Sequence, residues 1–465
     1  MQRTHTVSLP GVWYDYAQLM DIAPVVVAYF IPLGLILIAW GSWDRERARS
    51  HATLALVVMA LAAIAYAAIG FGFNFGGVGL RPDVPAGLRG LDQLWSPIVG
   101  TAGRNWGVIG LTGFLLNARS ILPGDTALLY ALFIHQLPIV MAAALIPTLT
   151  LAGRVRSIGL AMLSVIIAAL TVPIFGAWTW GGGWLFALGR DAKFGHGLID
   201  AGGAATTFIA TGAMTLALLL ALKIKRPSSS INETSLELPL RSAFGAITLL
   251  IGWLAWLTTD PILRALPTID LAFATTNVLL SATAALIVST AYGWFTTGKP
   301  SAQFAARGAI SGAIAAAAGA PFVPTTGALI IGVVAGLWTP IGVYLIERRL
   351  HLDDAAGFVA ATGLSGVWSI FAVGLLADGT YGAGWNNIGV TEYLGVSGQG
   401  ITGLWAGANL QNDPGQMSAQ LTGLLVIALM SFVVTWLLAR PFRRSAPKER
   451  SSERVSESPV SRFDA

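Results

Sequence analysis

Five ionisable side chains interrupt otherwise apolar stretches of this chain. His135 falls within one apolar run, Asp200 opens another, Asp260 closes a third, and Asp353 with Asp354 precedes a fourth. An ionisable group in hydrocarbon is costly, so each is a candidate for function. The chemistry they offer is limited. An imidazole passes a proton near neutral pH, a carboxylate attracts a cation, and an Asp ahead of a helix accepts from the unpaired first-turn N–H groups. Asp200, Asp353 and Asp354 stand where such caps stand. Asp260 reads either as a cation-attracting carboxylate or as a loop residue before Pro261 with Arg264 nearby; His135 reads either as a relay or as a packed ring bonded to a carbonyl. No nucleophile–base pair or metal-ligand cluster occurs among the apolar runs, so neither an enzyme nor a metal or cofactor site is expected.

The elements that must position these groups are membrane helices. Of 465 residues, 55% are hydrophobic and only 11% charged, and the mean hydropathy is +0.69. So few charges cannot coat several water-facing domains. A hydrocarbon layer of about 30 Å needs roughly 20 apolar residues in helix. Eleven such runs lie near 20–42, 52–75, 126–151, 157–180, 199–222, 241–259, 270–296, 305–323, 325–346, 355–376 and 417–439. With the N-terminus outside, Lys and Arg concentrate on the inner side, from Arg45, Arg47 and Arg49 to the basic C-terminal tail, which predicts N-out and C-in. The formal charge of +5 is spread in these short clusters, which argues against nucleic acid as a partner. Zero Cys excludes disulfides and thiolate sites. The first twenty residues hold no signal-peptide core, so the N-terminus is expected to be retained.

Residues 1–440 thus read as one transmembrane domain and 441–465 as a disordered, polar, Ser-rich cytoplasmic tail. The segments from about 76 to 125 and 377 to 416 are Gly-rich and carry aromatic and Asn residues such as Tyr381, Trp385, Asn386 and Asn387; they read as extracytoplasmic caps or a vestibule wall. Small-residue runs such as ARGAISGAIAAAAGAPF predict close helix packing. The fifth run opens DAGGAATTFIATG and the tenth DDAAGFVAATGLSG, an echo that suggests two inverted five-helix units plus one further helix, an arrangement that puts a pathway at their interface.

The stretch from TTNVLLSATAALIVSTAYGWFTTGKPS through GAISGAIA and GALIIGVVAGL to ERRLHLDD and TGLSGVW resembles the seventh to tenth helices of the ammonium transporter (Amt/Mep/Rh) family. WGGG at Trp180 to Gly183, AGG at Ala201 to Gly203 and IGW at Ile251 to Trp253 resemble the fourth, fifth and sixth. The resemblance implies a multi-pass protein of the cell membrane, a homotrimer of eleven-helix subunits in the lipid bilayer, each with its own narrow pore. It implies an outer vestibule that recruits ammonium by cation–π and hydrogen-bond contacts, a two-ring gate, and two pore histidines. Carried over by position, Trp180 keeps the vestibule Trp, Gln136 keeps a Gln on the third helix, His135 replaces a vestibule Phe, and Asp260 replaces the vestibule Ser. Ile139 and Trp256 replace the gate phenylalanines, and Thr207 and Thr362 stand for the two histidines. Asp200 lies one place later than the family's Asp before Ala-Gly-Gly, and Asp354 precedes the tenth helix as the second structural carboxylate.

Two hydroxyls in place of two imidazoles remove a titratable relay, because Thr does not change charge near neutral pH. Read alone, each Thr is a residue bonding its own preceding turn; the paired alignment sets the pore-lining reading level with it. The expected function is a channel or transporter for ammonium, ammonia or a similarly small solute; the alternative is a non-conducting ammonium sensor on the same scaffold. The tail RPFRRSAPKERSSERV does not resemble the motif by which family members bind a PII-type regulator, so no such partner is expected.

Overall fold

A computed structural model describes residues 23–98, 106–117, 126–226 and 237–441. The proposed tail, the N-terminal segment and residues 99–105, 118–125 and 227–236 lie outside the described residues.

Among the described residues, ten helices are long and apolar enough to cross a membrane: α1 (Ala23–Ser42), α2 (Glu46–Leu80), α3 (Ala127–Leu151), α4 (Ser157–Ala192), α5 (Ala204–Leu222), α6 (Pro239–Leu257), α7 (Leu271–Thr297), α9 (Thr325–Arg349), α10 (Val359–Leu376) and α11 (Pro414–Ala439). Between α7 and α9 lies α8 (Ala302–Ala317), the eighth of the expected runs. Its 16 residues reach only about 24 Å, and it is buried from Ala306 to its end among neighbouring helices. Small residues permit that burial. A Cβ on Gly312 would come within 2.4 Å of the Ser281 carbonyl, so α7 and α8 touch backbone to backbone. The chain is a multi-pass membrane protein.

Local chemistry sets the helix limits. Asp44 accepts from the Arg47 N–H at the start of α2, Asp270 from Ala272 and Phe273 at the start of α7, and Asp413 from Gly415 ahead of Pro414 in the first turn of α11. The packing follows the predicted duplication: α1 lies against α6, and α5 against the start of α10. At that second contact a Cβ on Gly212 would meet Gly363 Cα at 2.5 Å, so only glycine lets the two helices close. The eleventh helix packs on α5 and α10.

Among the described residues, the two Gly-rich segments, from Arg81 onward in the first, hold no membrane-length helix, as expected. One forms a short antiparallel pair, β1 (Leu94–Trp95) with β2 (Ile109–Gly110), and the other β3 (Glu392–Tyr393) with β4 (Val396–Ser397). They are tied to the last part of α4 by bonds from Trp184 N–H to the Gly107 carbonyl and from the Asn386 amide to the Phe186 carbonyl. Helix α11 adds two side chains: Gln416 and Gln420 each accept from a backbone N–H and donate to a carbonyl of the His196–Ile199 strand. The stretch leading into α5 is therefore held by side chains even though it has no regular structure of its own.

Candidate functional site

A pocket of about 30 Å³, room for one or two water-sized molecules, opens under these caps. Phe75, Gln136, Trp180, Asp200, Asp260 and Trp385 line it. Trp180 follows the last turn of the α4 segment Val172–Thr179, where a Trp-Gly-Gly-Gly run lets the chain turn sharply. Its indole N–H donates to the Asp200 carbonyl at 2.8 Å, and its own carbonyl accepts from Arg81 at 3.0 Å. Arg81 is buried, paired through two bonds of 2.9 and 2.8 Å with Asp83, and stacked over Phe186. The sequence signal for this strut is slight: an Arg and an Asp two residues apart just past the end of a span.

Asp200 and Asp354 are caps. The Asp200 carboxylate accepts from the N–H groups of Ala205 and Thr206 and from the Thr206 hydroxyl; the Asp354 carboxylate accepts from Phe358 and Val359. Three residues after each Asp stands a glycine at positive φ, Gly203 at 74° and Gly357 at 72°. Each glycine leads into a π-helical turn, Ala204–Ile209 in one half and Val359–Leu364 in the other. The two turns pack on one another. They are the wide turns that carry Thr207 and Thr362, and such turns recur at functional sites. Burial raises the Asp200 carboxyl against the opposing bonds from Thr206. Burial pushes Asp354 up to about 7, with Arg307 opposing and Glu347 adding to it. Asp353 instead pairs with Arg154 at 2.7 Å and Arg47 at 3.7 Å.

The two threonines differ. Thr362 donates to the Phe358 carbonyl at 2.6 Å, the self-bonding that a lone Thr in a helix favours. The hydroxyl of Thr207 is fully buried and has no partner among the described residues. It lies beside Gly203, where a Cβ would stand 3.2 Å from the hydroxyl and 3.1 Å from the outer edge of the Trp180 ring. The bare glycine thus leaves the indole and the hydroxyl on one small surface.

His135 is fully buried on α3 and lies flat on Trp256 of α6, 4.7 Å between ring centres and 10° from parallel. The Trp256 N–H donates to the His135 carbonyl at 2.7 Å. The ring stacked on Trp256 is therefore the imidazole; Ile139, one turn further along α3, is wholly buried. Nδ1 of His135 is 3.1 Å from the Thr259 hydroxyl, and Nε2 is 3.6 Å from Oδ2 of Asp260. The other oxygen of Asp260 accepts from Ile262 at 2.8 Å and Leu263 at 3.0 Å. Burial alone would raise this carboxyl, but the neighbouring His135 imidazole together with those two N–H groups holds it below the ordinary value. Trp256 also packs edge-on against Trp253, which stacks on Phe208, the neighbour of Thr207. Aromatic rings thus run from His135 toward the residue beside the buried hydroxyl.

The chain has clear relatives. The profile of the Ammonium Transporter Family matches residues 19–444. An ammonium transporter of Archaeoglobus fulgidus, Amt2, is 29% identical over 286 residues, 60% of either chain, so the match spans three-fifths of that relative's length. The ammonium transporter of Bacillus subtilis is 24% identical over 327 residues, 68% of this chain and 71% of its own. Among solved structures, a sensor Amt protein superposes with a TM-score of 0.70 at 21% identity over 92% of each chain. Candida albicans Mep2 does so with 0.68 at 20% identity over 94% of this chain and 87% of its own. At these identities the structural likeness establishes the fold.

Proposed function

Because the chain belongs to the ammonium transporter family, we propose that it carries ammonium, as ammonia, or a similarly small solute across the membrane, through a pore in each subunit of a homotrimer with its N-terminus outside and its C-terminus inside. The observation that carries this reading is the pocket itself: an indole edge, a carboxylate and a Gln carbonyl oxygen without a partner gather at one small cavity, with the unpaired Thr207 hydroxyl beyond it. A small cation gains from the Trp180 ring and from Asp260, whereas the same cation is penalised deeper in the apolar bundle and neutral ammonia is not. Trp180, Asp260 and His135 form the vestibule in this reading, Ile139 and Trp256 the constriction, and Thr207 and Thr362 line the passage below it. The chain is then a divergent family member in which hydroxyls occupy both pore-histidine positions.

The sensor alternative is not favoured, since the curated relatives are ammonium transporters and the likeness to a sensor protein is one of fold. Uptake of labelled methylammonium into vesicles containing the purified protein tests the proposal. Saturable uptake that falls on changing Trp180 or Asp260 supports it, and saturable binding with no uptake would overturn it.

A further inference from the structure

Resting on that transport reading, we infer that His135 and Asp260 together form the proton-accepting station at which entering ammonium is deprotonated, upstream of the apolar constriction. The groups around the imidazole are acceptors. The Thr259 hydroxyl has one proton and places it on the Trp256 carbonyl at 2.8 Å, so it meets Nδ1 of His135 with a lone pair. Nδ1 accordingly carries the hydrogen. In the neutral ring Nε2 is then a bare lone pair, buried and unpartnered, 3.6 Å from a carboxylate oxygen. Two acceptors this close repel one another, and a proton on the imidazole relieves that. The imidazolium satisfies every contact: Nδ1–H to Thr259, Nε2–H to Asp260, and a cation over the face of Trp256.

The remaining charged and titratable groups near the pocket are committed elsewhere. Arg81 is held by Asp83 and the Trp180 carbonyl, Asp200 by the first turn of α5, and the Tyr66 hydroxyl on α2 accepts from Asn74. Asp260 keeps its Oδ1 on the Ile262 and Leu263 N–H groups, which leaves Oδ2 for the imidazole. Gln136, the next residue of α3, lines the pocket with its carbonyl oxygen unpaired, a further acceptor for an ammonium N–H.

In the step, one N–H bond of ammonium breaks, its electron pair stays on nitrogen as ammonia, and the proton forms the Nε2–H bond of His135 against Asp260. Ammonia moves inward past Trp256. The proton returns through the pocket to outer water, so the net event is entry of ammonia without charge. Below the constriction Thr207 and Thr362 offer hydrogen bonds and no titration.

Two measurements on the full-length protein test this. In vesicles containing a trapped pH dye, external ammonium alkalinises the lumen; His135→Gln slows this by roughly a hundred-fold, the scale of a lost general base, and removes the acid limb of the rate–pH profile, while Asp260→Asn slows it and Asp260→Glu restores part of the rate. In 15N-histidine NMR, with His135 assigned by its absence from the Gln variant, the neutral ring shows the Nδ1–H form and added ammonium shifts Nε2. Wild-type rate and pH profile in His135→Gln, or an Nε2–H ring indifferent to ammonium, overturns the inference while transport stands. An Nε2 that responds to ammonium in a wild-type protein without flux overturns the transport reading and leaves the station as a cation site.

Discussion

The imidazole of His135 lies parallel to the indole of Trp256 at 4.7 Å, and the indole N–H closes the arrangement by donating to the His135 carbonyl at 2.7 Å. Ring and backbone are thereby locked across two helices, α3 and α6, behind the pocket-lining residues Gln136 and Asp260. Replacing Trp256 by Leu removes the stack and leaves the carbonyl unpaired. Melting temperature in detergent should fall, and the ammonium selectivity of flux should weaken because the constriction opens.

Trp180→Ala removes the pocket-lining ring that, in the proposed transport function, meets the cation, while leaving the backbone carbonyl that holds Arg81. A cation–π contact of about 1–2 kcal/mol corresponds to roughly a ten-fold weaker half-saturation for methylammonium. Concentration-dependent uptake checks this, and an unchanged half-saturation would refute the role of the ring.

The threonines should answer differently to the same substitution. Thr207→Val deletes a hydroxyl that satisfies no protein partner, so stability holds or rises while flux declines. Thr362→Val deletes one self-bond of its helix, and the smaller effect on flux is expected there. Paired melting and uptake curves for the two variants separate the cases.

Gly212→Val places a Cβ against the backbone of Gly363, which has no flexible side chain to yield. Overpacking of this kind costs about 1–3 kcal/mol or more, read as a lower melting temperature, and the separation of α5 from α10 should abolish uptake.

Asp354 supplies a pH dependence of stability. Its carboxyl is raised in the folded chain to about 7 from 3.8, so between those values the native state holds a proton that the unfolded state has lost. Stability from this group is fully present below about pH 4 and is lost as pH rises through 7. The melting temperature of the wild type, relative to Asp354→Asn, should therefore decline across that window; a constant difference would refute the buried, proton-holding carboxyl.

Much of the molecule was legible in the chain. Hydrophobic length is a local sum, so every one of the eleven runs has a helix, and the described parts of the Gly-rich segments beyond Leu80 hold no membrane-length helix. The caps were legible for a similar reason: Asp200 and Asp354 act on N–H groups four to six residues ahead of them. The Arg81 strut was not, because the Trp180 carbonyl it holds lies 99 residues away in the chain.

The sequence by itself determined that this is a membrane bundle with two capped, small-residue helices in corresponding positions, since those properties depend on composition and on neighbours within a turn or two. Only the tertiary structure decided that His135, instead of Ile139, stacks on Trp256, that its Nε2 faces Asp260, and that one threonine is bonded while the other is free. The reason is that a side chain's hydrogen-bond partners and ring contacts are supplied by whichever helix is packed beside it, and in an apolar bundle of near-interchangeable small residues that neighbour is set by backbone fit, which no local pattern encodes.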